Sequence, residues 1–142
     1  MFRKILVALD HSKADAVLLA RVKDLALLTQ AEILLVHVSI GWAAQWQENL
    51  NLADSEEIRG DREYLDKVHQ GLLDLGFRVA ARHASGEPAR QILKAAQEEK
   101  CDLIAMATHG HRGLSDLIYG ETIEKVRHES EIPLFLVKAE LG

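Results

Sequence analysis

Short apolar runs alternate with longer amphipathic stretches along the whole of the 142-residue chain. Ile5-Leu6-Val7-Ala8-Leu9 and Ile33-Leu34-Leu35-Val36-His37-Val38 are strand-length and almost uninterrupted. Runs of that kind suit strands covered on both faces, as in parallel sheets. Phe77 to Ala84 alternates instead, with Phe77, Val79 and Ala81 on one side, and predicts a third, less central strand. Leu103 to Ala107 and Leu134 to Val137 predict a fourth and a fifth.

The stretches between them carry helical periodicity. Ser12 is placed to cap a helix running to Gln30, and Asp15 three residues on makes a near-capping box. Val17, Leu18, Arg21, Leu25 and Leu28 supply its period. Ser55 to Leu75 places Ile58, Leu65, Val68, Leu72 and Leu75 on a stripe, and Gly76 suits the position just past its end. Pro88 opens a third helix through Ile92, Leu93 and Ala96. A short fourth is predicted over Glu121 to His128, stopped before Pro133. The order β-α-β-α-β-α-β-α-β predicts one α/β domain over residues 1–142, with a parallel sheet between helices. The segment from Gly41 to Asn51, with Trp42 and Trp46, fits no element. Two readings stay open for it: a partly mobile loop, or tryptophans packed on the sheet edge or a partner.

Composition narrows the function classes. A net charge of -5 disfavours nucleic-acid binding, which relies on clustered Lys and Arg. One cysteine, Cys101, rules out a disulfide within the chain and fits a reducing compartment. The apolar run after Met1-Phe2-Arg3-Lys4 is short for a signal peptide, and no stretch approaches the roughly 20 residues of a membrane span. A cytoplasmic protein without membrane partners is expected.

In an open parallel sheet ligands bind beyond the carboxyl ends of the strands, where the strand order reverses. That points to Leu9-Asp10-His11, to Val38-Ser39 and to residues 107–120. Within the last, Thr108-His109-Gly110-His111-Arg112-Gly113 precedes Gly120-Glu121-Thr122, which is expected to open the fourth helix. Glycines let backbone N–H groups turn toward an anion, and a helix amino end favours negative charge. There is no Walker A sequence and no G-x-G-x-x-G after the first strand.

Several pieces in order resemble the universal stress protein family: Lys4 to Ser12, Leu34 to Val38, Gly86-Glu87-Pro88-Ala89, Cys101 to Gly110, and Ile132 to Lys138. The resemblance implies a five-stranded parallel sheet of order 3-2-1-4-5, of the adenine-nucleotide alpha-hydrolase-like Rossmann type. It also implies a homodimer joined along the last strand (132–138) and, in nucleotide-binding members, a G-x2-G-x9-G-[ST] pattern that holds ATP or a related adenine nucleotide, with Mg2+ as a possible companion. Carried onto this chain, the adenine and ribose contacts fall on Ala8, Leu9, Asp10, Val38 and Met106. The phosphate contacts fall on Gly110, His111, Arg112, Gly120, Glu121 and Thr122.

Two positions depart from that pattern. Ala107 replaces its first glycine, and Glu121 stands where a small hydroxyl residue is expected. One like-charge pair at about 4 Å and an effective dielectric near 20 costs about 4 kcal/mol, or about three decades of affinity. Thr122, Arg112, a protonated His111 or a bridging cation would offset it. Three functions follow: a stress-response regulator binding ATP, ADP or AMP and signalling to an unidentified protein; a nucleotide-independent dimeric interaction protein with Glu121 filling the phosphate site; or a slow ATPase. For the last, Ser115 and Asp116 form no nucleophile elbow and no catalytic base is evident.

The remaining groups read more simply. Asp10 either bonds a ribose or belongs to the helix cap. His109 and His111 make a His-x-His pair that serves phosphate contacts or, with ligands not visible nearby, a metal. His37 reads as a satisfied core histidine, Cys101 as structural despite its neighbour Lys100, and Lys125, Arg127 and His128 as complements to a helix carboxyl end.

Overall fold

The computed structural model describes residues 1–39, 56–109 and 114–139. The described elements are β1 (Lys4–Leu9), α1 (Ala14–Thr29), β2 (Glu32–Ser39), α2 (Glu56–Asp74), β3 (Val79–Ser85), α3 (Pro88–Glu98), β4 (Leu103–His109), α4 (Leu114–Glu129) and β5 (Leu134–Ala139). All pairings are parallel, in the order β3-β2-β1-β4-β5. Trp42 and Trp46 lie outside the described residues.

Strand periodicity divides the core in two. Ile5, Val7, Leu9, Ile33 and Leu35 face α1 and α2 and meet Leu18, Val22, Leu65 and Leu72. Leu6, Ala8, Leu34, Val36, Ile104 and Met106 face the other way, against Ala89, Ile92 and Ala96 of α3 and Val126 of α4. β1 and β2 are therefore apolar at nearly every position because both of their faces are covered. β3 is an edge strand, and its Val79 and Ala81, with Phe77 just before it, pack as partly buried neighbours of the first layer.

Local signals set the element ends. Gly76 takes φ +93°, its N–H donates to the Leu73 carbonyl, and Phe77 N–H donates to that of Leu72. These two bonds close α2 in a Schellman motif. At α3, the Glu87 side chain accepts from the N–H groups of Ala89 and Arg90, and Pro88 is the first helical residue. The Asp102 carboxylate accepts the N–H groups of Arg3 and Lys4, stapling the start of β1 to that of β4.

Three expectations need correction. The buried face of α1 is Ala14, Asp15, Leu18, Val22 and Ala26, whereas Val17, Arg21 and Leu28 are exposed. Leucines on both sides of that helix gave its periodicity a false centre. Leu75 ends the α2 stripe in solvent because the chain turns at Gly76. The fourth helix starts at Leu114 rather than Glu121, so Gly120 is its seventh residue and opens nothing.

Ile104 is fully buried between the sheet and its α3–α4 cover. Ile104→Ala is expected to lower unfolding free energy by about 2–5 kcal/mol in urea titrations. Gly76→Ala, which strains a positive φ with open space around it, is expected to cost about 1 kcal/mol in the same assay.

Candidate functional site

The sheet order reverses direction between β1 and β4, so the crevice lies at their carboxyl ends. The chain leaves β1 through Asp10, His11 and Ser12 before α1 begins. Ser12 Oγ accepts the Ala14 N–H at 3.1 Å and donates to Asp10 Oδ1. Ser12 thus supplies the expected capping bond, although it stands one residue before the boundary residue Lys13. Asp15 reaches back as a capping box does, but further: its Oδ1 accepts the Asp10 N–H at 3.0 Å and its Oδ2 the His11 N–H at 2.9 Å.

Asp15 is 2% exposed and also accepts the Tyr64 hydroxyl of α2 at 2.6 Å. Burial pushes its carboxyl up to about 6, against the opposing effect of these donors. Burial and the neighbouring Asp15 push the Tyr64 hydroxyl up as well. His11 stacks on Tyr64 with ring centroids 4.1 Å apart and takes a left-handed backbone, φ +60°, uncommon outside glycine.

A second carboxylate lies beside it. Asp61 Oδ1 sits 2.8 Å from His11 Nδ1, and its Oδ2 accepts from Ser39 Oγ at 2.8 Å and lies 3.2 Å from His37 Nε2. Burial alone would raise Asp61, but the bonds from His11 and Ser39 and the His37 ring hold it below its ordinary 3.8. His37 Nδ1 donates to the Leu9 carbonyl at 2.8 Å, and the ring is 5% exposed, so it is the satisfied core histidine expected. Ser39 Oγ is also 2.7 Å from His83 Nε2. Strand register explains the group: Leu9 pairs with His37, and His37 with His83, on the α1–α2 face.

The predicted nucleotide contacts fall around this rim. Asp10 and Val38 are half-buried, while Ala8, Leu9 and Met106 are buried. Leu9 belongs to the α1–α2 layer, Ala8 and Met106 to the opposite one, so the set straddles the sheet end. Gly110, His111 and Arg112 lie outside the described residues. They lead into the amino end of α4 at Leu114, and Gly120 stands about 9 Å further along the helix axis. Gly120 and Glu121 are exposed and Thr122 is 3% exposed. Glu121 therefore meets no helix amino end, which removes the dipole argument for its filling an empty site.

Sequence reasoning placed Ser39 at the crevice only as part of the β2 end, and missed Asp61, Tyr64 and His83. A signal was present: Asp61 stands four residues before Leu65, on the buried stripe of α2, and Ser39 and His83 interrupt apolar alternation. Cys101 is buried, and burial pushes its thiol up to about 11, in keeping with a structural role. Among the described residues, no group of three His, Cys, Asp or Glu is arranged to hold a metal ion. No described helix is long and apolar enough to cross a membrane. A groove of about 550 Å3 lined by Ala26, Leu27, Gln30, Ala31, Gly76, Phe77 and Arg78 lies at the other end of the sheet, away from the crevice.

Comparison with known proteins bears on this arrangement. The sequence pattern of the universal stress protein family matches residues 1–138. The chain belongs to this family. Universal stress protein MJ0577 of Methanocaldococcus jannaschii is 28% identical over 97% of this chain and 96% of its own length. The solved structure of MJ0577 covers 100% of this chain and 99% of its own at a TM-score of 0.83, so the five-stranded order is that of a family relative. Two more distant structures share the fold at a TM-score of 0.70: a universal stress protein in complex with cAMP, 16% identical, over 96% of this chain and 97% of its own, and one from Archaeoglobus fulgidus in complex with dAMP, 18% identical, over 96% and 98%.

The two carboxylates give opposite pH effects. Asp15, raised to about 6, keeps in the folded state a proton that the unfolded chain releases above 3.8. Its contribution therefore falls as pH rises from about 4 to 6, by an amount on the order of 2–3 kcal/mol. Asp61, lowered from 3.8, contributes stability that is present above 3.8 and lost as pH falls through its folded value. Urea titrations from pH 3 to 8 are expected to show greatest stability close to pH 4 from this pair, and Asp15→Asn is expected to remove the decline toward pH 6.

Proposed function

We propose that the crevice at the carboxyl ends of β1, β2 and β4 binds an adenine nucleotide, ATP, ADP or AMP, and that the protein acts as a nucleotide-responsive regulator. The observation that carries the reading is the Asp10 turn: its backbone N–H and carboxylate are both held, by Asp15 and Ser12, at the switch point of the sheet. A carboxylate there suits ribose or adenine donors. Relatives whose structures hold cAMP and dAMP support the same ligand class. Ala8, Leu9, Asp10, Val38 and Met106 would frame the nucleoside, and the phosphates would lie along the segment from Gly110 through His111 and Arg112 to Gly120, Glu121 and Thr122.

Gly120 supports the phosphate assignment. It stands inside α4, where glycine costs about 1 kcal/mol relative to alanine, and no described residue lies within 4 Å of where a Cβ would project. That leaves room for a ligand to approach its backbone. Glu121 is exposed, so its repulsion toward phosphate is that of a hydrated charge, about 1 kcal/mol at 4 Å. That replaces the three decades expected of a desolvated pair by about a factor of five, without requiring Mg2+. The same reading includes a homodimer along β5, supported by its edge position and by Leu136, 45% exposed, and a protein partner that senses the bound state.

Calorimetric titration with ATP, ADP and AMP, each with and without Mg2+, tests the reading. Binding at or below millimolar concentration is expected; no heat and no thermal shift at that concentration, in a folded sample, would overturn it. Gly120→Ala is expected to raise stability by about 0.5–1 kcal/mol while weakening nucleotide binding. Glu121→Ser is expected to tighten binding by about fivefold.

A further inference from the structure

We propose that Asp61 and Tyr64 of α2 are positioning residues for the nucleotide site, gripping from beneath the two segments that meet the ligand. The inference rests on the nucleotide reading above. Asp61 and Tyr64 are three residues apart and so share a face of α2.

Their contacts divide between the two segments. Asp61 Oδ1 holds the His11 ring, and Tyr64 stacks on the same ring while its hydroxyl bonds Asp15. Asp15 in turn holds the N–H groups of Asp10 and His11. Asp61 Oδ2 holds Ser39 and lies against His37, the residues on either side of Val38. His37 closes the circuit on the Leu9 carbonyl. Every described segment assigned to the nucleoside on β1 and β2 is thus tied to one helix.

The backbone of His11 shows why such support is needed. A left-handed non-glycine residue persists only where its surroundings over-determine it. Three contacts do so here: the bond to Asp15, the bond to Asp61 and the stack on Tyr64. Beyond this left-handed residue stands Ser12, whose hydroxyl holds the Asp10 carboxylate. Asp61 and Tyr64 act through Asp10 and Val38 rather than by touching the ligand.

A double-mutant cycle with ATP as the probe tests this. Asp61→Asn keeps the shape but loses the charge that gathers His11, Ser39 and His37. Tyr64→Phe keeps the ring stack and loses only the bond to Asp15. Each is expected to weaken ATP binding, Asp61→Asn by about tenfold and Tyr64→Phe by about threefold; in an Asp10→Ala background the Tyr64→Phe loss is expected to fall below about twofold and the Asp61→Asn loss to shrink to the part carried through Val38, about threefold. A merely structural role would give the same loss in both backgrounds, and that additivity would overturn the proposal. Should Asp61→Asn fail to fold, Tyr64→Phe carries the cycle alone. Hydrogen exchange separates the two readings: the Asp10 and His11 amides are expected to exchange about tenfold faster or more in either variant without nucleotide. Unchanged exchange overturns the grip whatever ATP does; accelerated exchange in a protein that binds no nucleotide leaves the grip standing and overturns the assignment of the ligand.

Discussion

A carboxylate taken out of water must be given donors, and this fold gives two of them theirs from the chain segments that leave the strands. Asp15 draws on the Asp10 and His11 amides and the Tyr64 hydroxyl; Asp61 draws on His11, Ser39 and His37. Satisfying these two side chains fixes the β1–α1 turn and the end of β2 at once. The site is therefore a consequence of polar accounting at the sheet end as much as of the parallel topology that places it there. The penalty for leaving one such group unpaired, about 1–3 kcal/mol or more, is a sizeable share of a domain's net stability.

The two sides of the sheet contribute differently. Between the sheet and α3–α4 the described core is almost wholly apolar and buries Ala8 and Met106. Between the sheet and α1–α2 it is apolar toward the amino ends of the strands and becomes polar toward their carboxyl ends, from Leu9 to His37, Ser39 and Asp61. Apolar packing on one side and a directional hydrogen-bond network on the other leave Asp10 and Val38 at the boundary, half-buried, with Asp10 oriented by Asp15 and Ser12. Such pre-organisation lowers the ordering cost of binding.

Much of this was legible in the residues. Doubly covered strands announce themselves as unbroken apolar runs, and Ile5–Leu9 and Ile33–Val36 are that. Gly76 marks an element end through its freedom to take a positive φ, and Pro88 through its fixed φ, whatever the tertiary contacts. The face of α1 was not legible, because leucines at 27 and 28 are exposed and an aspartate at 15 is buried, the reverse of what polarity suggests. The start of α4 was hidden for a related reason: Gly120 reads as a boundary by propensity, yet the helix runs through it from Leu114. Asp10 and Val38 could be assigned from topology and family resemblance, whereas Asp61 and Tyr64 could not. They are distant in sequence from both segments, and only the crossing of α2 over the ends of β1 and β2 brings them together.

In the proposed function the adenine nucleotide sits on the β1 and β2 ends gathered by α2. Backbone amide shifts followed through a titration with ATP test it most directly. Changes concentrated at Asp10 to Ser12, Val38, Ser39 and residues 106–122, with Ala26, Ala31 and Phe77 at the opposite end unmoved, are the predicted result. Changes centred on that opposite end, with Asp10 and Val38 unaffected, would contradict it.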